Sequence, residues 1–401
     1  MGIHIIIVGA GIAGLCAGIA LRRAGHSVQI FEKSKLETET GAALALCPNG
    51  VIVLKSLGLD FEQAQACQLN RWEIIDGISL QKIAVQHIDR MASRLRSAFV
   101  TIGRNDLHRE LLRLALDSDQ DGTNVVKIRL GTSVIQVNQQ EGIVTLDDNS
   151  CHRADLIIGA DGLHSVVRSQ VLPQDKGAVP AGLSAFRFTL PTEALLSHSN
   201  SQDLLRDKES TSFILADTSD TVNERHFVWY ECRGGDFQNF VAIHPSCVDK
   251  TEDAKPQMLV ERNRMATEVT CWPLERHEPL RSWTFGKVIL IGDAAHSMLP
   301  FGGQGANQAI EDGGALGILL SDLGSSDNIP TRLKLFEAVR VSRASRVQIL
   351  SNVRVGRESA VTSDLQVYLE PGGSCPQSFA DRLSHDSGFD VIAVCTEMMR
   401  K

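Results

Sequence analysis

Apolar residues along this chain gather in short unbroken runs bounded by glycine. Ile3–Val8, Val28–Phe31, Asp155–Gly159 and Val288–Ile291 are such runs, rich in Ile, Val and Leu. Runs of this length without alternation predict strands buried on both faces, the habit of a parallel sheet. Between them the period changes. The stretch after Gly9 reads as a helix to about Ala24, with Gly25 as its C-cap. Val51–Leu57 reads as a short helix. Leu107, Leu111, Leu112 and Leu114 give the next helix its apolar face, with Asn105 or Asp106 as its cap. Asn307 onward is a helix of small residues, and 331–358 is a basic helical stretch. The chain becomes rich in Gly, Ser and Pro after Glu370, then ends in an apolar segment, Phe389–Met399, long enough to pack. Val125–Val137, Gly142–Leu146, Ser184–Leu190 and Arg225–Ile243 have the composition of antiparallel strands, and residues 71–96, with Trp72, read as strands of a second layer. A polar loop rich in Ser and Asp separates the strands near 190 and 225. The pattern predicts an α/β chain with a second, antiparallel layer and C-terminal helices.

Composition narrows the class without naming it. The chain has 401 residues, enough for about two domains, with 43% hydrophobic and 22% charged residues. Its net charge of -8 argues against a nucleic-acid surface. Nine scattered cysteines form no CxxC pair, so neither a metal site nor a disulfide framework is expected, and a reducing, cytoplasmic setting fits. No run is long enough for a membrane span, and the first residues lack a basic leader.

Three turns carry the candidate chemistry. The first is Gly9-x-Gly11-x-x-Gly14, between a strand and a helix, with Glu32 at the tip of the next strand. Gly9 makes the tight turn, Gly11 admits a pyrophosphate to the backbone, Gly14 lets helix and strand close up, and Glu32 accepts from ribose hydroxyls. That combination predicts a dinucleotide. The second is Ala160-Asp161-Gly162, followed by His164, Ser165 and Arg168. The third is Gly292-Asp293-Ala-Ala-His296, leading to Pro300 and Gly302, Gly303 and Gly305. These glycines let a flat ligand approach the backbone, and a helix N-terminus there favours negative charge. Other positions stay open. Gly41–Gly50 lies against a planar ligand or is core, ending in a Pro-Asn-Gly turn. Arg104 meets a phosphate or lies on the surface. Arg187, between Phe186 and Phe188, and Tyr230 are polar handles in a wall or ordinary sheet residues. Arg340, Arg343 and Arg346 share a helix face, read as a solvated face or an inter-helix contact in preference to a phosphate site.

Together the three motifs resemble the single-component FAD-dependent aromatic hydroxylases, the class A flavoprotein monooxygenases. The closest look is to salicylate-hydroxylase-like enzymes and fungal monooxygenases of secondary metabolism. The similarity runs to about residue 350. It implies a Rossmann-type FAD-binding domain (1–70, 97–180 and 281–330) interleaved with an α+β substrate domain (71–96 and 181–280), then a helical segment, 331–401. It implies that Gly9, Gly11, Gly14 and Glu32 hold the ADP half of FAD, and that Arg104 and Asp293 contact the ribityl-pyrophosphate part. Asp161 would belong to a motif sensing FAD and NADPH. Gly303, Gly305, Ala306 and Asn307 would follow the flavin pyrimidine edge, with Ala45 lining the cofactor. Arg187 would orient a substrate oxygen, and Tyr230 would hydrogen bond or assist phenol deprotonation. The implied reaction reduces FAD with NAD(P)H, forms a C4a-hydroperoxide with O2, and hydroxylates a phenolic or aromatic small molecule. Epoxidation of an indole alkaloid or prenylated metabolite uses the same intermediate, and a non-catalytic flavoprotein is the rival of another class. No WxWxIP stretch supports a halogenase. No metal is expected, and the protein is expected to be a monomer or homodimer. Ser297, Phe301 and Gly313-Gly314 depart from the family pattern, and the glycine pair should weaken its helix by about 1 kcal/mol per residue.

Overall fold

The computed structural model describes residues 2–36, 42–117, 126–197, 205, 209–217, 225–246, 269–324, 328–369 and 373–400. Gly41, Val125, Cys247, Glu370 and much of the polar loop between 190 and 225 lie outside the described residues.

The apolar runs become one sheet. Its order is Thr284–Phe285, Val288–Leu290, Leu156–Gly159, His4–Val8, Ser27–Phe31, Lys127–Arg129. All neighbours run parallel except the first pair, which is antiparallel. Ile5, Ile6, Ile7, Leu156, Ile157, Ile158, Val288 and Ile289 are fully buried, as continuous apolar strands require when helices cover both faces. The register matters more than the count. Val8 stands level with Gly159 and with Phe31, and Gly159 with Leu290. Four strand ends therefore lie in a row.

The second sheet has seven strands in the order Thr270–Arg276, Val179–Pro191, Phe237–Pro245, His226–Cys232, Thr211–Ala216, Arg71–Asp76, Lys82–His87. Only the pairing of Thr211–Ala216 with Arg71–Asp76 is parallel. Thr211–Ala216 falls in the stretch read from sequence as loop: its TSFILA alternates too little to stand out. Residues 71–96 supply two strands and a helix, Asp89–Leu95. Lys127–Arg129 departs from the antiparallel expectation, because it pairs in parallel with Ser27–Phe31. Ala43–Leu46, Phe99–Gly103 and Cys67–Leu69 form a small antiparallel sheet between the layers.

Helix Ile12–Arg23 packs along helix Gly305–Leu319. The Gly313-Gly314 pair is here a contact surface. A Cβ on Gly313 would sit 2.7 Å from Cys16 Cβ, and one on Gly314 2.8 Å from a Val53 methyl. Close packing offsets the low helix propensity. Pro48-Asn49-Gly50 opens helix Pro48–Ser56 instead of making a turn, with Pro48 in its first turn. The helix at 104 begins on Arg104 itself, and neither Asn105 nor Asp106 caps it.

The arginine face of helix Ile329–Leu350 takes the second of its two expected roles. Arg340 and Arg343 are buried, at 0% and 2% exposure. Arg340 pairs with Glu311 and, at 2.8 Å, with Asp312, while Arg343 reaches Glu311 at 3.1 Å. The face is an inter-helix contact and not a solvated one. Beyond it lie the short helices Phe379–Ser387 and Val391–Arg400. Among the described residues no helix is long and apolar enough to cross a membrane.

Candidate active site

The aligned strand ends bring the three turns together. Gly9 N donates to Phe31 O at 2.8 Å, Ala160 N to Val8 O at 2.9 Å, and Ile291 N to Gly159 O at 2.9 Å. Gly9 has φ +104°, and a Cβ there would meet Ala160 O at 2.5 Å. A Cβ on Gly14 would lie 2.0 Å from Gly9 O. Around Gly11 nothing stands within 4 Å of such an atom. Two of the motif's glycines thus close the turn, and the third faces open space. Gly11 is also the N-cap of its helix and no side chain caps it, so first-turn N–H groups stay available. The Glu32 carboxylate accepts from Ala10 N and Ser34 N, both at 2.7 Å, which fixes it beside that opening.

The other two turns are held by side chains. Asp161 accepts from the Ser165 hydroxyl and, at 3.1 Å, from Val167 N, so its carboxylate serves the start of helix Val166–Val171. Burial raises its pKa against these bonds. Arg168 donates to Ala294 O at 3.0 Å and pairs with Asp175. Asp312 accepts from Gly292 N at 2.9 Å and stands 2.7 Å from His296 Nε2. Burial works to raise the Asp312 carboxyl, but His296 and Arg340 outweigh it and hold it below its usual range. Asp293, next in the chain, is left exposed at the turn.

A cavity of about 370 Å³ opens beside these turns. Of the residues singled out from sequence, Gly11, Ala45, Arg104, Arg187, Tyr230, Asp293, Gly303, Gly305 and Ala306 line it. Gly9, Gly14, Glu32, Asp161 and Asn307 do not. Asn307 is fully buried and pins the wall: its Oδ1 accepts from Cys47 N at 2.9 Å, and its Nδ2 donates to Ala45 O and Gly303 O. Tyr230 donates its hydroxyl proton to Ala43 O at 2.8 Å, and burial raises its pKa. Arg187 is half-buried, and its Nε, itself shielded, has no hydrogen-bond partner among the described residues. Burial presses its pKa down; Tyr230, Arg104 and Asp293 are the charged or polar neighbours that also act on it. Phe301 joins the wall, and Ser297 bonds His277 at 2.8 Å away from it, so neither departure removes a turn.

The residues fit an FAD. An open Gly11 above an uncapped helix N-terminus suits a pyrophosphate. Gly303 (φ +61°) likewise has nothing within 4 Å of a would-be Cβ, and no side chain caps helix Gly305–Leu319, so a flat ring can lie against backbone N–H groups. A sequence profile described as FAD binding domain matches residues 3–350. The chain belongs to that family and is an FAD-dependent monooxygenase. It is 32% identical to an FAD-dependent monooxygenase of Aspergillus candidus over 100% of this chain and 96% of the relative. It is 28% identical to the 3-hydroxybenzoate 6-hydroxylase of Polaromonas naphthalenivorans, covering 96% of each. The crystal structure of CtdE in complex with FAD and a substrate has the same fold, with a TM-score of 0.75, 22% identity and 100% of both chains covered.

Much of this monooxygenase's cavity wall was not found from sequence. Trp72, Ile214, Val228, Val241, Ile243 and Phe301 supply apolar surface, His226 and Ser212 polar atoms, and Val355 and Phe379 come from the C-terminal segment. Alternation offered one signal: His226, Val228 and Tyr230 share a face at spacing two, so naming Tyr230 implied the others. Nothing local marked Phe379. It reaches the site by packing on Trp72, with ring centroids 5.2 Å apart.

Proposed function

We propose that this monooxygenase hydroxylates a phenolic or other aromatic small molecule, with NAD(P)H as the electron donor. The observation that carries the reading is one cavity shared by the glycine turns and by an apolar, aromatic-walled sheet face bearing a half-buried arginine. The relative named for 3-hydroxybenzoate supports an aromatic substrate.

In this reading Gly9, Gly11, Gly14 and Glu32 hold the ADP half of FAD, and Arg104 and Asp293 contact its ribityl-pyrophosphate part. Gly303, Gly305 and Ala306 offer backbone N–H groups to the ring edge, and Ala45 lies along it. Asn307 and Asp161 position the turns. When bound, FAD accepts electrons from NAD(P)H and uses O2 to deliver one oxygen atom to the substrate. The chain's own part is to bind, orient and exclude water. Arg187 donates to a substrate oxygen and stabilises negative charge there. With its proton given to Ala43 O, Tyr230 offers its hydroxyl oxygen as an acceptor for a substrate hydroxyl. The segments 1–70, 97–180 and 281–330 would form the FAD-binding part.

The test starts from purified protein. Flavin is extracted and identified, then NAD(P)H consumption is followed with phenols and indoles, with mass spectrometry of products. A product one oxygen heavier is expected from a phenol. Yellow protein whose NAD(P)H oxidation no aromatic compound stimulates would point to a non-catalytic flavoprotein, and an epoxide from an indole or prenyl compound to the epoxidase reading. Arg187→Ala is expected to keep FAD but lower kcat/KM about tenfold to a hundredfold. Unchanged product yield per NAD(P)H would remove Arg187 from the site.

A further inference from the structure

The substrate-side wall is a flat grid whose layout follows from strand register. Across the sheet, Ile214 stands opposite Val228, Val228 opposite Val241, and Val241 opposite Arg187. One pleat along, His226 stands opposite Ile243, and Ile243 opposite Ala185. Tyr230 lies one pleat the other way. The backbone positions of Arg187 and His226 are separated by two strand spacings and two residues, about 12 Å on the diagonal. The grid between them is apolar: Val228, Val241 and Ile243.

The two polar ends have separate surroundings. Arg187 senses Tyr230, Arg104 and Asp293. His226 senses Arg354 and Arg382, from the C-terminal segment. The two polar ends therefore have different charged neighbours. His226 is 5% exposed, lines the cavity, and takes Phe301 edge-on at 5.5 Å between ring centroids. Its Nδ1 is shielded and has no hydrogen-bond partner among the described residues. Burial, then the two arginines, hold its pKa down to about 4, so at neutral pH it carries one N–H and one lone pair. Among the described residues Nε2 makes no hydrogen bond either but is not shielded in the same way, so it is the ring nitrogen a ligand in the cavity can reach.

We propose that His226 is a second polar anchor for the substrate, and that the substrate is an elongated aromatic molecule with an oxygen near each end. This rests on the aromatic-hydroxylase reading of the cavity. One oxygen meets Arg187 and Tyr230, the rings lie over Val228, Val241 and Ile243, and the far oxygen meets the imidazole. A single benzene ring is too short to engage both.

Three probes test this with the purified holoenzyme: biphenyl with a hydroxyl at each far end, biphenyl with one such hydroxyl, and phenol. Dissociation constants are read from the change in flavin absorbance. The wild type is expected to bind the dihydroxy compound about tenfold more tightly than the monohydroxy one. His226→Phe is expected to shrink that preference to about twofold or less, His226→Gln to retain part of it, and phenol to bind wild type and His226→Phe alike. Equal weakening of all three ligands by His226→Phe would assign the residue a structural role and overturn the proposal. A wild type indifferent to the second hydroxyl would also overturn it. If no aromatic ligand perturbs the wild-type flavin, the aromatic-hydroxylase reading itself fails, and the anchor with it. Should His226→Phe release FAD, His226→Ala with the same ligands gives the comparison.

Discussion

Gly11 and Gly14 show how one residue type does two jobs three positions apart. At Gly14 an added Cβ would strike Gly9 O, and the backbone must move. Gly14→Ala is expected to destabilise the apoprotein by about 1–3 kcal/mol. At Gly11 the added atom meets only open space, so Gly11→Val is expected to leave apoprotein stability within about 0.5 kcal/mol and to abolish FAD retention. Urea unfolding beside flavin content checks both; a Gly11→Val protein that stays yellow would break the assignment. The motif made both glycines legible from sequence, Gly11 as the one left open to a ligand and Gly14 as the one that packs. His226 was legible only as a strand position on the face of Tyr230, because a histidine in a strand has no local mark of burial. Its folded pKa of about 4 lies below the unfolded value near 6.5, so the unfolded chain takes the proton first. The stability is fully present above about pH 6.5 and is lost as pH falls toward about 4, at up to about 1.4 kcal/mol per pH unit. His277, held at about 4 chiefly by burial, adds a second such loss. His226→Phe should flatten the fall by about half; parallel urea curves from about pH 7 to about pH 5 would show that His226 is not buried neutral.

Helix Gly305–Leu319 works on three sides at once. Its N-terminus meets the cavity, its glycines close on helix Ile12–Arg23, and its acids Glu311 and Asp312 take Arg340 and Arg343. Burial acts to raise the Glu311 carboxyl, but the two arginines outweigh it and hold it low. Glu311 also accepts from Asn49 at 2.6 Å, and Asn49 donates to Gln304 in the cavity wall. The ion pairs thus set the helix against the cofactor turns. Removing one partner leaves buried charge uncompensated. Arg340→Met is expected to cost about 3–5 kcal/mol and to weaken FAD binding, measured by thermal unfolding with and without added flavin. A loss under about 1 kcal/mol would mean that Arg343 and His296 suffice. The arginine spacing was visible in sequence as a single face. Its partners, about thirty residues upstream on another helix, were not, so surface and interior could not be told apart.

The whole molecule is a parallel sheet whose strand ends meet one face of an antiparallel sheet, with the C-terminal helices closing the remaining side. A ligand seated there touches segments from residue 11 to residue 379. FAD should therefore bind the folded state only. At a free concentration about a hundred times its dissociation constant it should add about 2.7 kcal/mol of stability. Calorimetry of the apoprotein with increasing FAD checks this, and a melting point indifferent to FAD would mean that the turns do not form one site. The chain alone determined the buried strands, the glycine turns and the acid at each strand end, because those depend on period, on missing Cβ atoms and on residues a few positions apart. Only the tertiary structure decided that Asn307, Asp161 and Asp312 serve the scaffold, that Arg340 and Arg343 are interior, and that His226 and Phe379 line the same cavity. Those outcomes rest on strand register and helix packing between segments tens to hundreds of residues apart, and no local pattern records which distant group ends up opposite.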